Sequence, residues 1–182
     1  MSGRSGRVDL RRDERQLSGT LRDGALDGVL RIDEQERPLA SLSYRQGILH
    51  GPFVLLHANG AVAARMHYQD GKLHGPATFH TAEGWVQRQA NYRGGLLHGE
   101  VKTFFADGGL AELQRYHAGR LHGLQQRFHP GGQLAWRQLF QQGQGAEAER
   151  SFASNGRPLN EQGKPISWLA WWWQRLTQAP EQ

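Results

Sequence analysis

Four histidines recur at a spacing of 24 residues and are the first candidates for metal or acid–base chemistry. Each lies in the pentapeptide glycine, any residue, leucine, histidine, glycine, and they are His50, His74, His98 and His122. Zinc ligands lie about 2.1 Å from one ion, whereas equivalent residues two strands apart in a sheet are separated by about 9.6 Å. The histidines therefore predict ordering of their own loops through hydrogen bonds or ring packing, and we expect neither a metal site nor a cofactor.

Other residue types that catalyse reactions lack the spacing that catalysis needs. No serine lies in a Gly-x-Ser-x-Gly elbow, and the chain contains no cysteine. No pair among the few carboxylates of the central repeats suggests acid–base work. The glycines lie between predicted strands with no helix after them, which argues against a phosphate loop. We expect a protein that is not an enzyme.

Arginine and tryptophan are the residues that suggest binding. Of 22 basic residues all but three are arginine, the side chain suited to bidentate pairing with carboxylates and phosphates. Tryptophan and arginine are also common anchors of protein interfaces. The candidate partner-binding residues are Arg65, Arg88, Arg115, Arg127, Trp136, Arg137, Trp168, Trp171, Trp172 and Trp173.

A repeat of 24 residues must position these side chains. Besides the pentapeptide, each unit has a third glycine thirteen residues after the leading one, as at Gly60 and Gly84, and a closing aromatic residue, as at Tyr68 and Tyr92. About seven residues separate successive glycine turns, which is the length of a strand and too short for a helix. Each of about six units is therefore predicted to be a β-hairpin.

The repeat predicts an all-β fold, an elongated single antiparallel meander sheet of tandem hairpins. Large apolar residues share one parity along the strands, whereas Arg65, Arg88 and Arg137 hold intervening positions together with Gln125 and Arg127. One face of the sheet should thus be apolar and the other polar. The polar face, rich in arginine, is the expected binding surface.

The flanking segments differ from the repeats and give three predicted regions. Residues 1–19 mix arginines with acids and predict a flexible basic arm. Residues 20–160 form the repeat sheet. Residues 161–182 hold Trp168 and the run Trp171 to Trp173, which predict a short amphipathic helix after Ser167. This helix could cap the sheet, dock on a partner or seat at a membrane interface.

The repeat unit resembles the MORN repeat. The residues that carry the resemblance are the tyrosine, the leucine–histidine–glycine pentapeptide after a two-residue spacer, then an aromatic residue and an Asn-Gly or Asp-Gly turn. The match is closest to the variant in bacterial YwqK-like antitoxin or immunity proteins. The resemblance implies a module that neutralises a cognate toxin or secreted effector by steric occlusion. MORN-type sheets also imply an alternative, a membrane-associated or assembly scaffold that binds anionic lipid.

Charge and hydropathy complete the predictions. The net charge is +5, a modest excess that favours acidic partners. Basic and acidic residues are interspersed, so we do not expect nucleic-acid binding. The N-terminus lacks an apolar signal stretch, and we expect a cytoplasmic protein, or a periplasmic one if an export signal has been removed.

Overall fold

The computed structural model describes residues 5–167, which are strands, turns and short bridges with no helix among them. The chain divides into a first unit that ends at Val101 and a second unit that begins at Lys102. The all-β class and the meander of antiparallel hairpins predicted from the repeat are confirmed. The predicted C-terminal helix lies outside the described residues.

Unit 1 contains eleven complete strands, and each hairpin joins neighbours in sequence. They are β1 (Gly6–Arg12), β2 (Arg15–Arg22), β3 (Ala25–Leu26), β4 (Gly28–Glu34), β5 (Arg37–Arg45), β6 (Ile48–Leu56), β7 (Val62–Gln69), β8 (Lys72–Leu73), β9 (Gly75–His80), β10 (Val86–Arg93) and β11 (Leu96–Leu97). The strand β12 (Gly99–Phe104) contains the boundary between the units.

Unit 2 repeats the same hairpin plan with strands that shorten toward its C-terminal end. Its strands are β13 (Leu110–His117), β14 (Arg120–Leu121), β15 (Gly123–Phe128), β16 (Leu134–Gln141), β17 (Gln144–Gly145) and β18 (Arg150–Ser151). Beyond β18, isolated bridges join Phe152 to Pro158 and Leu159 to Pro165.

Two kinds of turn alternate along the chain. At the first, Asp70 and Gly71 both have positive φ, 49° and 78°, the geometry of the two-residue hairpin turn that matches strand twist. At the second, Gly60 has φ 81° and the Asn59 Oδ1 accepts the Ala61 N–H at 3.0 Å. Asparagine and glycine at these positions fix where each hairpin reverses.

Each unit has two faces, which we name from the closing aromatic residues. The aromatic face carries Tyr44, Tyr68 and Tyr92 in unit 1, and Tyr116 and Phe140 in unit 2; the other side is the opposite face. Directly paired residues share a face and residues two apart on a strand share it as well, so the cross-strand register assigns every position.

Small residues form the buried part of the aromatic face in unit 1. Ala64, Ala77 and Ala90 are 2–3% exposed, and Val101 is 1% exposed. Larger side chains on the same face are half-buried around them; the rings of Phe53 and Tyr68, for example, meet edge to face with centroids 5.9 Å apart. The core is therefore a single thin layer of side chains on one side of the sheet.

The structure corrects the flexible arm expected over residues 1–19. From Gly6 onward this segment forms the hairpin β1–β2, in which all seven residues of β1 are in register with β2. Leu10 pairs with Leu17 on the aromatic face, and the Gln16 Nε2 donates to the Asp9 carboxylate at 2.9 and 3.0 Å. The alternation of apolar and polar residues is a strand pattern that the high charge of the segment concealed.

Candidate partner-binding faces

The leucine–histidine pentapeptide acts mainly through its backbone. The Gly71 N–H donates to the Leu49 carbonyl and the Gly95 N–H to the Leu73 carbonyl, each at 2.8 Å, and the His74 N–H donates to the His67 carbonyl at 2.9 Å. The bond from leading glycine to leucine recurs at Gly47, Gly71, Gly95 and Gly143, where it joins one loop to the loop of the preceding repeat. The pentapeptide thus stabilises the stacking of neighbouring hairpins through its backbone hydrogen bonds.

The rings of the loop histidines make local contacts. The His50 Nδ1 lies 3.3 Å from the Asp70 Oδ1, and the rings of His117 and His122 have centroids 5.9 Å apart. In residues 5–167 no group of three or more His, Asp or Glu side chains is placed to hold a metal ion. The contacts at His50 and His122 are of the loop-ordering kind that the sequence predicts.

Two other histidines join consecutive turns at the far ends of the hairpins. The His57 Nε2 lies 3.0 Å from the His80 carbonyl, and the His129 Nε2 lies 2.8 Å from the Phe152 carbonyl. The Asn59 side chain donates to the Ala82 carbonyl at 2.7 Å in the same way. These side chains stabilise the stacking of turns, so their hydrogen-bonding atoms are already engaged.

In unit 1 the register separates the two candidate arginines onto different faces. Arg65 pairs with Thr78 on the opposite face, as predicted, but Arg88 pairs with Phe79 on the aromatic face. Arg88 is four residues before Tyr92 on β10, and the register between them is continuous, so simple alternation already puts both side chains on one face. The expectation that Arg88 lies on the polar face was wrong.

Unit 2 separates its candidates in the same way. Arg137 pairs with Gln126, which pairs with Leu113, so Arg137 and Arg115 lie on the opposite face. Arg127 pairs with both Glu112 and Trp136 on the aromatic face. Gln125 and Arg127 were expected on the polar face together with Arg137, and this part of the prediction was wrong because of the bulge beside Phe128.

Arg127 and Trp136 form the centre of a polar cluster on the aromatic face of unit 2. The Arg127 Nε donates to the Glu112 Oε1 at 3.0 Å, and its Cζ lies 4.9 Å from the Trp136 ring centroid. The Trp136 Nε1 donates to the Glu149 Oε2 at 3.0 Å. Sequence reasoning found Arg127 and Trp136 but missed the two glutamates, since their positions depend on cross-strand register.

A buried glutamine holds two strands of unit 2 together. Gln125 is 3% exposed; its Oε1 accepts the Arg115 N–H at 2.8 Å and its Nε2 donates to the Arg115 carbonyl at 3.1 Å. The Arg115 Nη1 in turn donates to the Leu124 carbonyl at 2.8 Å. Arg115 is therefore tied to the sheet by both its backbone and its guanidinium.

Leucines give the opposite face of unit 2 an apolar character. Leu113 is 9% exposed, and the register places Leu124 and Leu139 on the same face. A cavity of about 280 Å³ opens here between Leu124, Leu139, Arg137 and Arg150. The Arg137 Cζ also lies 5.9 Å from the Phe152 ring centroid. This face combines apolar area with arginine.

A larger cavity lies at the turn end of unit 1. It has a volume of about 390 Å³, and its lining includes Glu34, Arg37, Leu39, His57 and Asn59. Local hydrogen bonds shift two pKa values in the same unit. The Glu34 carboxylate raises the pKa of Arg15, and the Thr81 side chain lowers the pKa of Glu83. Both shifts favour the charged form of an exposed side chain.

The remaining candidate residues belong to the predicted C-terminal helix. Trp168, Trp171, Trp172 and Trp173 fall outside the described residues, so their role as partner-binding residues stays a prediction. Within residues 5–167 no helix is long and apolar enough to cross a bilayer.

A comparison with protein-family models finds a match within the repeats. Residues 97–118 match the family model described as a MORN repeat variant. No curated protein matches the chain. The matched stretch is one period of the 24-residue repeat, and the same glycine, leucine and histidine positions recur on its N-terminal side at Gly71 to Gly75 and on its C-terminal side at Gly119 to Gly123. The chain thus contains a segment that matches the MORN repeat variant, flanked by further copies of the same pattern.

Proposed function

We propose that this chain is a non-catalytic protein-binding module, and that it binds through the aromatic faces of its units. The observation that carries this proposal is the aromatic face of unit 1, where Phe53, Tyr68 and Phe79 are only half-buried. Within residues 5–101 no second layer covers them, because the strands belong to one meander. Half-exposed aromatic side chains gain free energy when a partner removes them from water, at about 25 cal/mol per Å² of apolar area.

The aromatic face of unit 2 would contribute specificity. Arg127 and Trp136 are of the residue types that most often dominate interface energetics. The Glu112 and Glu149 carboxylates hold them in one geometry, so little side-chain entropy remains to be lost on binding. A partner with an acidic or polar group could pair with the exposed part of the Arg127 guanidinium.

The finer form of the proposal is an immunity or antitoxin protein of the YwqK-like kind. It would neutralise a cognate toxin or secreted effector by covering the toxin's active site. Support comes from the sequence resemblance and from the hairpins of each unit, whose strands are already paired without a partner.

Co-expression with the product of the neighbouring gene tests the proposal. We expect a complex that survives purification, and survival of cells that produce the neighbour. The absence of both a complex and protection would contradict the immunity function.

Two adjacent residues of β7 provide a matched pair of variants. Met66 lies on the aromatic face and Arg65 on the opposite face. We expect Met66→Glu to weaken the complex at least tenfold and Arg65→Glu to leave it nearly unchanged. The reverse result would assign binding to the arginines of the opposite face and refute the role of the aromatic face.

Vesicle flotation separates this proposal from a lipid-binding scaffold. Each basic residue near an anionic surface adds about 1 kcal/mol of attraction, so a scaffold would float with phosphatidylserine vesicles. We expect no flotation. Flotation that is lost when residues 165–182 are deleted would support the scaffold instead.

A further inference from the structure

The two ends of the hairpin array differ in how they protect their backbone. At the C-terminal end, β18 has two residues, and Pro158 and Pro165 take part in the bridges that follow. Short strands and prolines prevent another chain from adding to a sheet edge. At the N-terminal end, β1 has seven residues, no proline and no bulge in its register with β2.

Within residues 5–167 the first strand pairs on one side only. All its register pairs there are with β2. Because a two-residue turn joins Arg12 to Arg15, hydrogen-bonded and non-bonded pairs alternate from that point. The N–H and C=O groups of Arg12, Leu10 and Val8 thus point toward β2. Those of Arg7, Asp9 and Arg11 point to the free edge.

The charges beside Leu10 on this strand are complementary to those of a second copy of the strand that runs in the opposite direction. Asp9 and Arg11 flank Leu10 and are opposite in charge. In an antiparallel pair of identical strands centred on Leu10, Asp9 of each strand lies opposite Arg11 of the other. Opposite charges in directly paired positions stabilise a sheet, by roughly 0.2–1 kcal/mol for each pair.

We propose that the chain forms a two-fold dimer by antiparallel pairing of β1 with the same strand of a second copy, centred on Leu10. The two Leu10 side chains, each 61% exposed in one chain, cover each other. Asp9 of each copy pairs with Arg11 of the other. The aromatic face of unit 1 then continues from one copy into the next.

The contacts that Asp9 and Arg11 make within one chain leave them able to pair with the second copy. The Arg11 Nη2 lies 3.9 Å from the Glu36 Oε1, and both side chains are highly exposed, 67% and 87%. Such a pair contributes little to stability. Asp9 accepts hydrogen bonds from Gln16 and has further lone pairs for a second donor.

Charge selects among the possible registers. A two-fold axis at Asp9 would place Asp9 opposite Asp9 and Arg7 opposite Arg11, which is repulsive. An axis at Val8 would pair Arg7 with Asp9 but leave Leu10 opposite Gly6 and Arg11 opposite Ser5. The Leu10 axis pairs Asp9 with Arg11 twice and covers the exposed leucine.

Sedimentation equilibrium of the full chain tests the dimer. Two seven-residue strands bury less area than a standard interface, so we expect a mass that rises from 20.5 kDa toward twice that value with concentration. Asp9→Arg and Arg11→Asp should each be monomeric, because each places like charges opposite one another. The double variant should recover the dimer, and a mixture of the two single variants should form a heterodimer.

Controls separate pairing from folding. Gln16→Ala removes the internal partner of Asp9 without changing the edge charges, and it should dimerise like the wild type. Circular dichroism should show the same strand content for all variants. A wild type that stays monomeric at every concentration, an Asp9→Arg variant that dimerises normally, or an Arg11→Asp variant that does so would overturn the Leu10-centred dimer.

Discussion

The aromatic faces of the two units are built on one repeat but hold different side chains. In unit 1 this face has Met66, Ala77 and Ala90, all apolar. The equivalent positions in unit 2, at multiples of 24 residues, hold Gln138, Gln125 and Gln114. Unit 2 moves part of its apolar area to the opposite face, where Leu113 is 9% exposed.

This difference shows which part of the repeat carries the fold. The turn glycines and the backbone bonds from leading glycine to leucine occur in both units, as at Gly71 and Gly143, whatever the face contains. Because backbone hydrogen bonds fix the hairpins, the strands between the turns can carry either apolar side chains or glutamines on the aromatic face. Units of such arrays contact mainly their neighbours. The side chains on the faces are therefore available for binding.

The largest expected effect comes from placing a charge among the buried alanines Ala64, Ala77 and Ala90 on the aromatic face of unit 1. Ala90 is 2% exposed, and Ala90→Asp would bury an unpaired carboxylate. We expect the free energy of unfolding in urea to fall by about 3 kcal/mol or more. Gln114→Asp, at the equivalent half-buried position of unit 2, should cost less than about 1 kcal/mol. Equal losses would contradict the difference between the faces.

Removal of the buried glutamine should have the next largest effect. Gln125→Ala leaves the Arg115 N–H without its side-chain acceptor, and we expect a loss of about 1–3 kcal/mol in urea unfolding. The control is Gln126→Ala on the opposite face, a residue whose side chain makes no hydrogen bond within residues 5–167. If both variants lose the same stability, Gln125 does not hold the two strands together.

A double-mutant cycle measures the cluster of unit 2. For Arg127→Ala and Trp136→Phe we expect a coupling free energy of about 0.5 kcal/mol, because the cation–π contact is largely exposed. Arg65 of unit 1 has no comparable ring contact, so Arg65→Ala combined with Trp136→Phe should be additive. A coupling near zero for the first pair would show that the contact does not order the aromatic face of unit 2.

The smallest effect concerns the turn residue before the leading glycine. Ala118 in unit 2 has φ 48°, whereas unit 1 has Gly94 with φ 59° in the same column. We expect Ala118→Gly to raise the free energy of unfolding by about 0.5 kcal/mol and Gly94→Ala to lower it by a similar amount. Thermal unfolding should show these changes as a slightly higher and a slightly lower melting temperature. Opposite signs would contradict the turn assignment.

The fold could be predicted from sequence because its determinants are local and repeated. Asp70-Gly71 and Asn59-Gly60 fix turns within a few residues, and the period of 24 fixes which turns are equivalent. The same reasoning missed the hairpin β1–β2, where three arginines and an aspartate in β1 concealed the alternation of Val8 and Leu10.

Assignment of residues to faces could not be predicted in the same way. A one-residue bulge beside the turn at Gly131 and Gly132, between Arg127 and Phe128, reverses the alternation, so parity counted through the bulge placed Gln125 and Arg127 on the wrong face. Nothing in the sequence marks the bulge itself, because it depends on the pairing of the two strands.

Sequence alone determined the hairpins, their period and the residue types available for binding, since turns and strands of seven residues need only local interactions. Only the tertiary structure decided which residues meet. It joined Arg127 to Glu112 and Trp136, separated Arg127 from Arg137, and left the backbone of Arg7, Asp9 and Arg11 at a free edge. Register between strands decides these contacts, and register depends on hydrogen bonds between residues far apart in the chain.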